Sequence, residues 1–331
     1  MHYNIGNEDH KLEKAVNLVV ILLIVSLAIF VLIALLGNYS KIIGYIRSAN
    51  LFFILLAILS VFFGYILRFF KWSYYLRKLN IKIKLLDNLA TYLSLYAMNL
   101  TPGKLGRLLN AFIVKRLSNA SSTEAASAII MDIYTDFMGA AVLGIVLAIV
   151  LAPGYYYIIT VALIDIALIS PYFILINNYT FSKIRKYIGR IRYVKRFRSI
   201  IIRYIIHQEK LNTIDTYITS IIFTVPAYLL NSFSLYFAFR ALGINSSIFK
   251  SSFVFTFAQL IGMVTGVPGN LGFTDISLVK LSQSLLSLSY NTAAAATIIS
   301  RIASLWFGVV LGLILLTYLV RKSARSRARF R

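Results

Sequence analysis

One five-residue string occurs twice in this chain. It reads Pro102-Gly103-Lys104-Leu105-Gly106 and, later, Pro268-Gly269-Asn270-Leu271-Gly272. Each copy interrupts a hydrophobic segment. A helix breaker facing lipid leaves backbone N–H and C=O groups unpartnered, at a cost of several kcal/mol each. Such breaks therefore persist only where protein or a water-filled cavity surrounds them. Paired breaks at corresponding places in two halves point to a binding site of the kind that broken helices build in transporters.

The rest of the chain makes this constraint a membrane constraint. Of 331 residues 59% are hydrophobic and only 14% are charged, with a mean hydropathy of +0.79. Soluble domains carry about a quarter charged residues. The expected class is an all-α integral membrane protein. The formal net charge is +23. Its basic residues cluster between hydrophobic spans and at the C-terminus, which fits the positive-inside rule and attraction to anionic headgroups rather than nucleic-acid binding. There is no cysteine, so disulfide and thiolate chemistry are excluded. The three histidines, His2, His10 and His207, have no metal-ligand spacing. No metal site and no cofactor is expected.

A span needs about 20 apolar residues. Six stretches qualify, at about Val16–Leu36, Leu51–Phe70, Ala126–Leu151, Tyr156–Ile176, Ile214–Phe239 and Thr292–Val320. Two further segments are broken and read as re-entrant helical hairpins. The first runs from Leu85–Leu100 through Pro102 to about Arg107–Leu117, the second from about Ser252 to Leu288. Arg68, Lys71 and Trp72 read as an interfacial anchor closing the second span. Ser121 or Ser122 caps the third span, with Glu124 in its first turn.

Charge sets the orientation. The loops 71–84 and 177–211, the latter with ten Lys and Arg, and the tail 321–331 belong in the cytoplasm. The turns near Gly37–Asn50, Pro153–Tyr155 and Gly243–Lys250 belong outside. Residues 1–15 form a cytoplasmic N-terminal tail, and 16–320 form one membrane domain. The expected location is the plasma membrane, with both termini cytoplasmic. The basic loop suggests an amphipathic helix on the anionic inner leaflet. Pro268 follows Pro102 by 166 residues, and the same offset superposes spans of the two halves. Segments about 16–152 and 156–320 then form an inverted repeat, because three crossings is an odd number. Ordinary turns and eight crossings are the alternative.

Ionisable residues inside spans are functional candidates by default. Asp132 and Asp136 share a helix face at i and i+4. Arg301 lies near mid-depth in the last span, and an Asp136–Arg301 pair is expected to link the halves. A purely structural ion pair is the competing reading. Asp165 is a further candidate, and Asp275 suits either a cap or an outer-cavity role. The free N–H groups after each break suit an anion, and Lys104, Arg107, Lys115 and Arg116 add charge to the first. Asn99, Pro102, Gly103, Gly106, Pro268, Gly269, Asn270 and Gly272 complete the candidate ligand-binding set. No nucleophile–base–acid arrangement is seen, so no catalytic residue is assigned.

Arg68-Phe69-Phe70-Lys71-Trp72, Asn99-Leu100-Thr101-Pro102-Gly103, Asp132 with Asp136, and Val267-Pro268-Gly269-Asn270-Leu271-Gly272 followed by Asp275 carry a resemblance over nearly the whole chain. The chain resembles the transmembrane region of lysylphosphatidylglycerol synthases and their free-standing relatives, including archaeal proteins linked to dolichol-phosphate sugars. The resemblance implies a lipid-translocating, flippase-like domain without the aminoacyl-transferase domain. Arg107 and Asn110 stand where the family usually has Glu and Arg. Ile133 replaces an Arg, and Asp275 replaces a Glu. These departures bear on headgroup specificity and leave the architecture untouched.

The expected function is binding and translocation of an anionic lipid or lipid-linked saccharide headgroup. The expected partners are a membrane phospholipid or polyprenyl-linked lipid, with room for a homo-oligomer or a glycosyltransferase partner. A lipid-headgroup transferase and a small-solute or ion transporter are the alternatives.

Overall fold

The computed structural model describes residues 36–328, apart from 119, 152–153 and 177–205, together with positions 21, 24, 28 and 32. Residues 102–103, 168–176 and 323–328 are described by backbone alone. The tail 1–15, most of the expected span Val16–Leu36 and most of the loop 177–211 thus lie outside the described residues. Positions 21, 24, 28 and 32 of that span are helical.

Every regular element among the described residues is helical. In chain order they are α1 (Tyr39–Arg47), α2 (Leu51–Lys78), α3 (Leu85–Ser94), α4 (Asn110–Leu117), α5 (Ser122–Leu151), α6 (Tyr155–Ile176), α7 (Ile214–Ala241), α8 (Ile248–Thr265), α9 (Phe273–Leu286), α10 (Tyr290–Arg301) and α11 (Phe307–Ala328). Two 3-10 segments, Leu95–Leu100 and Pro102–Leu109, join α3 to α4. A 3-10 turn, Pro268–Asn270, lies between α8 and α9, and a π-helical turn, Ile302–Trp306, between α10 and α11.

Local chemistry explains the boundaries. Asn50 opens α2 by accepting a bond from the Phe52 N–H at 2.9 Å. The helix closes with Arg77 and Lys78 in its last turn, where cations meet the negative end of the dipole, followed by Asn80 at φ 59°. Ser121 and Glu124 form a reciprocal cap on α5. The Ser121 N–H donates to the Glu124 carboxylate at 2.7 Å, and the Glu124 N–H donates to Ser121 Oγ at 3.2 Å.

Among the described residues, five stretches are long and apolar enough to cross a membrane: Leu51–Lys78, Ser122–Leu151, Ile214–Ala241, Ile248–Thr265 and the run Tyr290–Lys322. Four of them coincide with expected spans. The expected span Tyr156–Ile176 is helical as α6 over 22 residues. Three boundaries differ from expectation. The limb expected from Ser252 starts at Ile248 and has 18 residues, a rise of about 27 Å. The basic loop expected at 71–84 is helical through Lys78. The outer turn near Gly37–Asn50 contains α1, because the Asn38 side chain caps it and buried Ile42 anchors it.

Small residues let the helices approach closely, as membrane packing favours. A Cβ on Gly64 of α2 would stand 2.9 Å from the Ala227 carbonyl of α7. A Cβ on Gly312 of α11 would stand 2.3 Å from the Ala97 nitrogen. Gly312 thereby seats the first broken segment against the last helix.

Candidate functional site

The two Pro-Gly strings fold into matching turns. The Lys104 N–H donates to the Thr101 carbonyl at 3.0 Å, and the Asn270 N–H donates to the Val267 carbonyl at 2.9 Å. Lys104 and Asn270, third in their strings, both lie in the left-handed region, at φ 59° and 56°. The turns touch each other. A Cβ on Gly269 would meet Leu100 Cδ2 at 2.8 Å. The glycine that ends each string is capped differently. The Gly106 N–H donates to Thr101 Oγ1, and the Gly272 N–H donates to Asp275, both at 2.8 Å.

Behind the first turn lies a buried ionic cluster. Lys71 of α2 reaches Asp136 at 2.9 Å and Asp132 at 3.1 Å, both on α5. Arg107 reaches Asp132 at 3.1 Å and Asp136 at 3.7 Å. Arg68 stands 3.4 Å from Asp136 and stacks on the Tyr228 ring at 4.4 Å. All five groups are nearly inaccessible. Removing such charges from water costs several kcal/mol each, so they must repay one another. Neutral acceptors tighten the array. Thr135 accepts from Lys71 at 3.0 Å, and Asn99 accepts from Arg107 Nε at 2.8 Å.

The second turn has its own pair. Arg301 meets Asp275 at 2.8 Å and donates to the Gly269 carbonyl at 3.1 Å. Asp275 thus both caps α9 and neutralises Arg301. Immediately after Arg301 the helix relaxes into its π turn, where the Ser304 carbonyl accepts from Tyr65 at 3.3 Å. π turns recur at functional sites because they free backbone groups.

Between these two arrays lies a partly open cavity of about 70 Å³. Its charged walls are Arg68, Lys104, Arg107 and Arg301, against one carboxylate, Asp136. Its neutral polar walls include Tyr65, Tyr96, Tyr228, Asn99, Asn231, Gln259 and Asn270. Both breaks, α2, α5, α7, α8, the end of α10 and the π turn contribute. The Lys104 ammonium faces the Phe137 ring at 5.2 Å, with no carboxylate in ion-pair range among the described residues. Chemically, this is a partly open, cation-rich polar chamber suited to an anion with hydrogen-bonding groups.

The profile of the lysylphosphatidylglycerol synthase transmembrane region matches residues 19–312. The chain belongs to that family. It is also similar to a UPF0104 membrane protein of Methanothermobacter thermautotrophicus, 26% identical over 67% of this chain and 70% of the relative. A UPF0104 membrane protein of Pyrococcus horikoshii is 22% identical over 89% of this chain and 95% of the relative. The membrane family and the apolar helices together make this a multi-pass membrane protein.

Of the residues singled out in the sequence of this family member, Asn99, Lys104, Arg107, Asp136, Gly269, Asn270 and Arg301 line the cavity. Asp132 and Asp275 stand behind it as partners of Arg107 and Arg301. Gly106, Pro268 and Gly272 shape the two turns, and Pro102 and Gly103 lie in the first. The expected Asp136–Arg301 pair is not formed. Each residue has a nearer partner on its own side, so the link between halves is the shared cavity. Lys115 is exposed and does not line the chamber, and neither does Arg116. Asp165 is buried away from the cavity walls.

Arg68, Lys71 and Trp72 are not an interfacial anchor. They are buried, and the Trp72 indole N–H donates to Asn88 at 2.9 Å. Their spacing was the available signal. Arg68 and Lys71 at i and i+3 match Asp132 and Asp136 at i and i+4, two charge pairs on two helix faces. Tyr65, Tyr228, Asn231 and Gln259 carried no such signal.

Proposed function

We propose that this chain binds the anionic headgroup of a lipid in the cavity between its two breaks and moves it between the leaflets of the plasma membrane. In this reading six helices span the bilayer, and the segments around α3–α4 and α8–α9 enter it from opposite sides. The halves 16–152 and 156–320 are inverted repeats, with both termini in the cytoplasm and the basic loop and tail held to the anionic inner leaflet. The contact between Gly269 and Leu100 supports placing both breaks at one depth. The lipid is a membrane phospholipid or a polyprenyl-linked lipid.

One observation carries the reading. Both breaks open on the same chamber, and four cations face it with a single carboxylate. Lys and Arg are the residues that bind phosphate, Arg in two-pronged fashion. A headgroup could pass through such a chamber while its acyl chains stay in lipid. Every carboxylate named at the site is ion-paired. Among the described residues no unpaired carboxylate lines the chamber to serve as a base, which favours movement over transfer.

The test is native mass spectrometry of the gently purified protein, with identification of retained lipid. The expected result is one anionic lipid class bound in a defined ratio and lost from Lys104→Gln. Retention of mixed bulk lipid alone, unchanged in Lys104→Gln, would contradict the reading.

A further inference from the structure

The charges around the cavity do not cancel. On the side of the first break, Arg68, Lys71, Lys104 and Arg107 face two carboxylates, Asp132 and Asp136. On the other side, Arg301 and Asp275 neutralise each other. With Lys104 protonated, the array therefore carries two surplus positive charges. Buried charges are ordinarily paired, because an uncompensated one is costly away from water.

The surplus has a location. Lys104 has no carboxylate in range and rests over Phe137. Arg68 shares Asp136 with Lys71 and Arg107, and its guanidinium rests on Tyr228. Both cations line the cavity. Aromatic faces hold a cation without neutralising it. Lys104 is also fixed by a left-handed backbone that few side chains adopt. Two incompletely paired cations are thus presented to one chamber.

We infer that the cavity is matched to a doubly charged phosphate, the dianion of a phosphate monoester or terminal phosphate, rather than to the single charge of a phosphodiester. The inference rests on the headgroup reading above and narrows it. A dianion completes the neutralisation between Arg68 and Lys104. A phosphodiester leaves one charge unmatched. The neutral amides and phenols of the wall then meet whatever polar group the phosphate carries.

The test uses the whole chain in detergent and isothermal titration calorimetry. The probes are dihexanoyl phosphatidate, dihexanoyl phosphatidylglycerol and inorganic phosphate. At about pH 7 phosphatidate should bind about tenfold or more tightly than phosphatidylglycerol, as one added charge-assisted contact provides. Near pH 5 the preference should collapse, because a phosphate monoester loses its second charge below about pH 6. Lys104→Gln should weaken phosphatidate binding more than phosphatidylglycerol binding and so remove the preference at neutral pH. Inorganic phosphate binding as tightly as phosphatidate would support the dianion site and name free phosphate as its source. Phosphatidylglycerol binding equally well at neutral pH would overturn the dianion inference and leave the headgroup reading standing. Absence of binding by all three probes would overturn both.

Discussion

Lys104 and Asn270 occupy the same place in two turns that touch across the molecule. Each lies at φ near 60°, and each closes its turn on the carbonyl of the residue before proline. Asparagine tolerates this conformation, whereas lysine pays about 1–2 kcal/mol for it. A strained lysine facing the cavity marks a position held for its charge. Lys104→Gly should therefore raise the apparent melting temperature, by up to about 1 kcal/mol of stability, while weakening binding of anionic lipid. Thermal unfolding in detergent, paired with lipid binding, checks this. A simultaneous loss of stability would contradict it.

The cluster of Arg68, Lys71, Arg107, Asp132 and Asp136 should behave as one unit. Lys71→Met alone should cost about 3–5 kcal/mol, because it removes the buried ammonium that bridges Asp132 and Asp136. The double variant Lys71→Met with Asp132→Asn should recover much of that loss. A double-mutant cycle in thermal or denaturant unfolding measures the coupling, expected at about 1–3 kcal/mol.

Arg301 should couple to Asp275 and not to Asp136. The ion pair at 2.8 Å lies on one side of the cavity. In cycles of Arg301→Met with Asp275→Asn, the coupling should exceed about 1 kcal/mol, whereas with Asp136→Asn it should stay within about 0.5 kcal/mol. Asp275→Asn keeps a side-chain oxygen for the Gly272 N–H, so the helix cap survives the substitution.

Gly312 should be intolerant of any side chain. Its added Cβ would stand 2.3 Å from the Ala97 backbone nitrogen, which cannot rotate away. Gly312→Val should cost about 1–3 kcal/mol or more, as overpacking does. Because the displaced segment carries Tyr96 and Asn99 into the cavity wall, lipid binding should fall with stability.

The paired breaks, the all-helical membrane fold and the apposition of both breaks around one site were legible in the sequence. They were legible because helix breakers and hydropathy act locally. The Asp132–Asp136 face was legible from its i, i+4 spacing. Their partners Arg68 and Lys71 were misread, because a basic residue beside Trp72 at the end of an apolar run looks the same whether it meets headgroups or buried acids. Only the continuation of α2 to Lys78 places them inside. Arg301 was given the wrong partner, since position along a helix does not fix rotation about it. The π turn after Arg301 left no local trace in Ile302–Trp306. The polar walls Tyr228, Asn231 and Gln259 sit in otherwise apolar helices, and only packing brings them to one chamber.

The central claim is movement of a lipid headgroup through the cavity, and a reconstituted vesicle assay tests it most directly. Tail-labelled fluorescent phosphatidate would be incorporated with the purified protein, and a membrane-impermeant quencher added outside. Quenching should extend from the outer leaflet's share to nearly all the label with the native protein. It should stop near the outer share with Lys104→Gln folded and present in equal amount. Quenching confined to the outer leaflet with native protein, across phosphatidate and other anionic lipids alike, would contradict the central claim.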